Sequence, residues 1–85
     1  MMNYNKFCEY VKAEIANQLP GHTVEILEMG KINNVKRIGL VIGEKNKNVS
    51  PIIYLEEYYQ EYLRGNKSHE IVKEIVLFYK NVKDG

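Results

Sequence analysis

Ser50-Pro51-Ile52-Ile53-Tyr54-Leu55-Glu56-Glu57-Tyr58-Tyr59-Gln60-Glu61-Tyr62 packs four of the chain's seven tyrosines and three glutamates into thirteen residues. Its first half reads as a strand spanning Val49 to Leu55, with Ile53 and Leu55 on one face and Tyr54 on the other. Pro51 has no N–H, so it suits the start of that strand or a sheet edge. From about Glu56 to Arg64 the pattern turns helical, because Tyr58/Tyr62 and Tyr59/Leu63 are spaced i,i+4. Gly65 closes this helix. A strand that runs straight into a helix implies a sheet with helices laid against it.

The preceding residues supply the rest of the sheet. Residues 35–43 are the clearest strand, with Ile38, Leu40 and Ile42 on one face and Arg37, Gly39 and Val41 on the other. Residues 22–31 read as a partner strand in which Val24 and Ile26 alternate with Thr23, Glu25 and Leu27. Asn33-Asn34 between them suits a hairpin turn, since asparagine tolerates positive φ. Glu44 to Asn48 reads as a polar loop. Phe7, Val11 and Ile15 recur every four residues in a first helix over 4–18, with Asn3 or Asn5 as its cap and Pro20-Gly21 as its stop. A last helix over 68–83, capped by Ser68 or Asn66, carries Ile71, Ile75, Phe78 and Val82 as its apolar stripe. The order is therefore α-β-β-β-α-α. It predicts an α+β two-layer sandwich, a three-stranded antiparallel meander with helices packed on one face. The other face can stay open to solvent. Phe7, Val11, Ile15, Ile38, Leu40, Ile42, Ile71, Ile75 and Phe78 form the expected core.

Eighty-five residues make one small domain, 1–85. A chain this short buries only roughly 60–65% of its unfolded surface. At 45% hydrophobic and 27% charged residues it is too apolar for a disordered chain. Twelve basic and eleven acidic groups leave a net charge of +1, which argues against a polyelectrolyte partner such as nucleic acid. The longest apolar run, Leu40-Val41-Ile42, is far short of a membrane span. Cys8 is the single cysteine, so no intramolecular disulfide forms, and a reducing cytoplasmic location is expected.

Asn34-Val35-Lys36-Arg37-Ile38-Gly39-Leu40, followed by Asn48-Val49-Ser50-Pro51-Ile52-Ile53-Tyr54-Leu55-Glu56-Glu57-Tyr58-Tyr59, resembles the DUF5688 family, uncharacterised proteins of gut Bacillota. The likeness extends to Tyr4-Asn5-Lys6-Phe7 and to the closing helix. It implies that this chain corresponds to the amino-terminal module of longer family members. The family has no established activity, so the resemblance transfers no catalytic residue.

The residues themselves offer little chemistry. Cys8 lies beside the apolar stripe of the first helix and has no histidine near it in sequence, so it reads as a small buried hydrophobe. His22 and His69 could join Cys8 around zinc, but no close ligand pair exists to nucleate such a site. Glu56, Glu57 and Glu61 suit the positive end of a helix better than an acid–base pair. Gly39 and Gly43 fit no phosphate-binding loop and suggest a bulge or a close backbone approach. No catalytic set, cofactor or metal is expected.

The tyrosines remain. Tyr58 and Tyr59 are adjacent and cannot share one helix face, and Tyr54 opposes its apolar neighbours. Tyrosine is enriched at interfaces, where it brings large area at low entropic cost. The expected function is a non-enzymatic protein-interaction module, a small inhibitor or adaptor. Tyr54, Tyr58, Tyr59, Tyr62, Glu57 and Glu61 are its candidate partner-binding residues, and a homodimer is one form it could take. The alternative is a small nucleic-acid-binding module using Lys31, Lys36, Arg37, Lys45 and Lys47 with an exposed tyrosine stacked on a base.

Overall fold

The computed structural model of the chain describes residues 1–44 and 50–84. Helix α1 spans Tyr4–Gln18, followed by β1 (His22–Ile32), β2 (Val35–Glu44), β3 (Ile53–Tyr54), α2 (Glu56–Leu63) and α3 (Ser68–Asp84). The strands pair antiparallel in the order β1-β2-β3. This is the α-β-β-β-α-α arrangement that the sequence pattern predicts.

Each boundary has a local cause. Asn3 caps α1, its Oδ1 accepting the Lys6 N–H at 2.9 Å. Gly21, at φ +81°, takes the left-handed conformation that turns the chain toward β1. Asn33 and Asn34, at φ 52° and 66°, make the two-residue hairpin turn and bring Ile32 opposite Val35. Lys67 occupies the α3 cap position instead of Ser68 or Asn66, its carbonyl accepting the Ile71 N–H at 3.1 Å.

Three expectations change. Glu44 completes β2 and does not start a loop; the remainder of that loop, 45–48, lies outside the described residues, as does Val49 of the third strand. The regular ladder of β3 is short, but the segment stays on the β2 edge at both ends. Ser50 N–H donates to Ile42 O at 2.7 Å and Leu55 N–H to Ile38 O at 2.9 Å. The bulge lies in β1, between Glu28 and Lys31, and Gly30 takes φ +92° there.

Helix and sheet close on one buried cluster. It comprises Phe7, Cys8, Val11, Ile15 and Leu19 of the α1 segment, Ile38, Leu40 and Ile42 of β2, Ile53 and Leu55, and Ile71, Val72, Ile75, Val76 and Tyr79 of α3. Phe78 is a correction: it is 41% exposed, and Val82 is exposed too. At about 100° per residue, burying Val72 and Val76 as well as Ile71 and Ile75 swings the apolar arc away from Phe78. Tyr79 falls inside that arc, and its ring meets His22 edge-on at 5.5 Å. Among the described residues, no helix packs on the opposite face of the sheet.

Candidate functional site

Two surfaces take up the residues that the sequence singles out. The first is the tyrosine cluster where α2 meets α1. Tyr59 lies 5.2 Å from Tyr4 and 5.3 Å from Phe7, and Tyr62 lies 5.2 Å from Phe7, ring centre to ring centre. Both hydroxyls hold the chain ahead of α1. Tyr62 accepts the Met2 N–H at 2.8 Å, and Tyr59 donates to Met2 O at 3.1 Å. Tyr59 and Tyr62 are therefore half-buried against the core, each with a hydroxyl satisfied by backbone. Tyr58 sits on the flank of α2. Burial, and then the carboxylates of Glu74, Glu61 and Glu57, raises its hydroxyl pKa. Glu57 and Glu61 thus gather around Tyr58, while Tyr54 lies on the far side of the sheet.

The second surface is that far side. Gly39 pairs with Tyr54 on one flank and Leu27 on the other. A Cβ at Gly39 would lie 2.6 Å from Ile52 Cγ2 and 3.3 Å from Met29 Cγ. The glycine is needed because Ile52 and Met29 close over it. Side chains, and not a bulge or a neighbouring backbone, make this close approach. Leu27, Met29, Ile52 and Tyr54 thereby form a continuous apolar patch, which Ile32 and Val35 extend to the hairpin tip. Each of these six keeps between 36% and 55% of its surface exposed. Arg37 stacks its guanidinium 3.9 Å from the Tyr54 ring centre, and its Nε–H donates to Glu56 at 2.8 Å. That hydrogen bond raises the Arg37 pKa further and locks the charge in place. A cleft of about 260 Å³ opens where Ile32, Val35 and Arg37 meet Glu56, Glu57 and Gln60 of α2.

The basic residues do not line one face. Lys36 pairs with Glu28 at 3.2 Å on the helix side of the hairpin, opposite Lys31 in the ladder. Arg37, one residue on, points to the open side. Lys45 and Lys47 lie outside the described residues.

The other candidates are dispersed. Cys8 is fully buried, and desolvation, followed by the charges of Glu9 and Glu56, pushes its thiol up to about 12. A thiol held neutral in this way is a poor nucleophile and a poor metal ligand. His22 Nε2 pairs with Glu44 at 3.3 Å and His69 Nε2 with Glu70 at 3.3 Å. His22 packs on Tyr79, which is ten residues along α3 from His69, so the two imidazoles belong to different ends of that helix. Among the described residues no group of three His, Cys, Asp or Glu side chains is placed to hold a metal ion. No helix among them is long and apolar enough to cross a membrane.

Sequence pattern alone misses Leu27, Met29, Ile32, Val35 and Ile52 as a surface. The signal is there in retrospect, because β1 places Leu27 and Met29 at outward positions where an open sheet face ordinarily carries polar residues.

The chain matches the model of DUF5688, described as a family of unknown function, over residues 4–85. It belongs to the DUF5688 family. No curated protein and no solved structure matches it.

Proposed function

We propose that this DUF5688 chain is a non-enzymatic protein-interaction module of the cytoplasm, a small inhibitor or adaptor that works by binding a partner protein. The observation that carries this reading is the apolar face around Gly39. Solvent-exposed apolar side chains are ordinary when scattered, but a contiguous set on one flat face is the usual mark of a docking surface. Tyr54 supplies the rigid aromatic anchor of such a face, fixed by Arg37 and Glu56. Tyr58, Glu57 and Glu61 give α2 an acidic flank that can confer specificity at the rim. Tyr59 and Tyr62 serve by holding α2 and the chain start together beneath it.

Affinity capture from the native host tests the reading. Wild-type bait is compared with Leu27→Glu and Tyr54→Ala baits whose melting temperatures match the wild type. Proteins retained by the wild type and lost from both variants support the proposal. Retention of the same proteins by all three baits refutes it.

A further inference from the structure

We propose that the free edge of β1 takes a fourth strand, an extended basic peptide laid antiparallel along residues 24–28 beside α1. This goes beyond the open-face reading, because it uses a different surface and does not depend on it. The register carries the inference. Leu55 N–H donates to Ile38 O and Ser50 N–H to Ile42 O, so the even-numbered residues of β2 turn their main-chain groups toward β3. The odd-numbered ones turn toward β1. Opposed residues of an antiparallel ladder face each other or turn away together. Thr23, Glu25 and Leu27, opposite Gly43, Val41 and Gly39, therefore bond to β2. Val24, Ile26 and Glu28 send their N–H and C=O groups outward, at a spacing of ~6.7 Å that only another extended chain matches. The sheet order β1-β2-β3 leaves that edge without a strand.

The open row has a stop at each end. His22 N–H donates to Leu19 O at 3.2 Å, which closes the edge where β1 begins. At the other end the bulge between Glu28 and Lys31, with Gly30 at φ +92°, breaks the ladder. The opposite sheet edge is β3, two residues long and approached through Pro51, which has no N–H to offer. Beneath the β1 row a cleft of about 310 Å³ opens between Cys8 and Glu9 of α1 and Ile26, Glu28 and Ile38 of the hairpin. Ile26 is half-buried there, packed on the core yet uncovered on its outer side. An edge strand with a cleft beside it is the geometry that captures an added strand. Main-chain bonds supply affinity, and a pocket for alternate side chains supplies selectivity.

Charge selects the strand. Residues 22–28 carry Glu25 and Glu28 and no lysine or arginine, and Glu9 lines the same cleft. Lys36 holds Glu28, but Glu9 and Glu25 make no ion pair among the described residues. A second copy of β1 at this edge would bring more glutamates to one seam, so the edge disfavours itself. A basic strand is complementary, since opposite charges across a ladder attract and like charges repel. The register then sets the motif. The peptide residue opposite Ile26 turns its side chain toward the cleft and is apolar. Two residues before it, opposite Glu28, a lysine or arginine meets Glu28 and Glu9. One residue after it, on the other side of the sheet, a second basic residue meets Glu25.

The test is a titration of the isotopically labelled full chain with the blocked peptide Thr-Lys-Thr-Val-Lys-Val-Thr, followed by amide exchange. In the free chain the amides of Val24, Ile26 and Glu28 should exchange readily, while Glu25 and Leu27 are protected by β2. The peptide should bind saturably and slow exchange at Val24, Ile26 and Glu28. Methylating the nitrogen of its central valine removes the bond to Ile26 O and should weaken binding about ten-fold or more. Methylating the threonine nitrogen before it, which faces away from β1, should not. Glu9→Lys and Glu25→Lys, at unchanged melting temperature, should each weaken binding about ten-fold or more. Tyr54→Ala should leave it intact. The proposal is overturned by absence of saturable binding up to millimolar peptide, or by protection of the three outward amides before peptide is added. Equal losses from the two methylated peptides, or indifference to both charge reversals, overturn it as well. Loss of binding in Tyr54→Ala would move the peptide to the open face and overturn it too. The open-face reading is judged separately, by the capture experiment.

Discussion

Leu40 sits at the centre of the middle strand, fully buried between helix and sheet partners. Truncating it to alanine removes a side chain that the packed surroundings cannot replace, and should cost about 2–5 kcal/mol in a denaturant melt. Gly39, its neighbour, faces the other way and fails for the opposite reason. Gly39→Ala drives a methyl into Ile52 and Met29 and should cost about 1–3 kcal/mol, with the shift confined to the open face. Cys8 and Tyr4 make a prediction in pH. Burial pushes the Cys8 thiol from 9.0 and the Tyr4 hydroxyl from 10.0 up to about 12 in the folded chain. The unfolded chain then releases these protons first. Stability is full below about pH 9 and falls as pH rises toward 12. Thermal melts across that window should show the decline, and Cys8→Ala should lessen it. Unchanged melting through pH 11 would mean that Cys8 is not desolvated as the packing requires.

The helices and strands are largely legible in the sequence. The four-residue recurrence of Phe7, Val11 and Ile15 marks α1, and its boundaries match. The alternation of Ile38, Leu40 and Ile42 marks β2, and the Asn33-Asn34 pair marks its turn. That turn gives a clean test, because both residues hold positive φ. Asn34→Gly should leave stability equal or raise it by a few tenths of a kcal/mol, whereas Asn34→Val should lower it by about 1–2 kcal/mol. Equal melts for the two variants would exclude the left-handed turn. What periodicity could not settle is the choice between rival stripes on one helix. On α3, Phe78 and Tyr79 are both apolar enough to be core. The arc set by Val72 and Val76, together with the His22 ring, selects Tyr79. Gly30 was equally illegible, since one glycine in a strand does not say whether it bulges.

Helices on a single side leave this small protein with an asymmetric surface. One side carries the tyrosine cluster, whose hydroxyls face inward to Met2. The other carries Leu27, Met29, Ile32, Val35, Ile52 and Tyr54 in water. The sequence located Tyr54 on that side but grouped it with Tyr58, Tyr59 and Tyr62, because strand and helix periodicity place residues on element faces without saying on which side of the sheet the helices settle. Function then follows from which side meets a partner. Amide spectra of the isotopically labelled chain, recorded without and with a host protein that the wild-type bait captures, examine that directly. Shifts on adding the partner should cluster on Thr23–Ile32, Val35–Gly43, Ile52 and Tyr54, with α1 and α3 unmoved. Shifts gathered instead around Leu77, Phe78 and Val82 of α3 would contradict the assignment of the open sheet face as the binding surface.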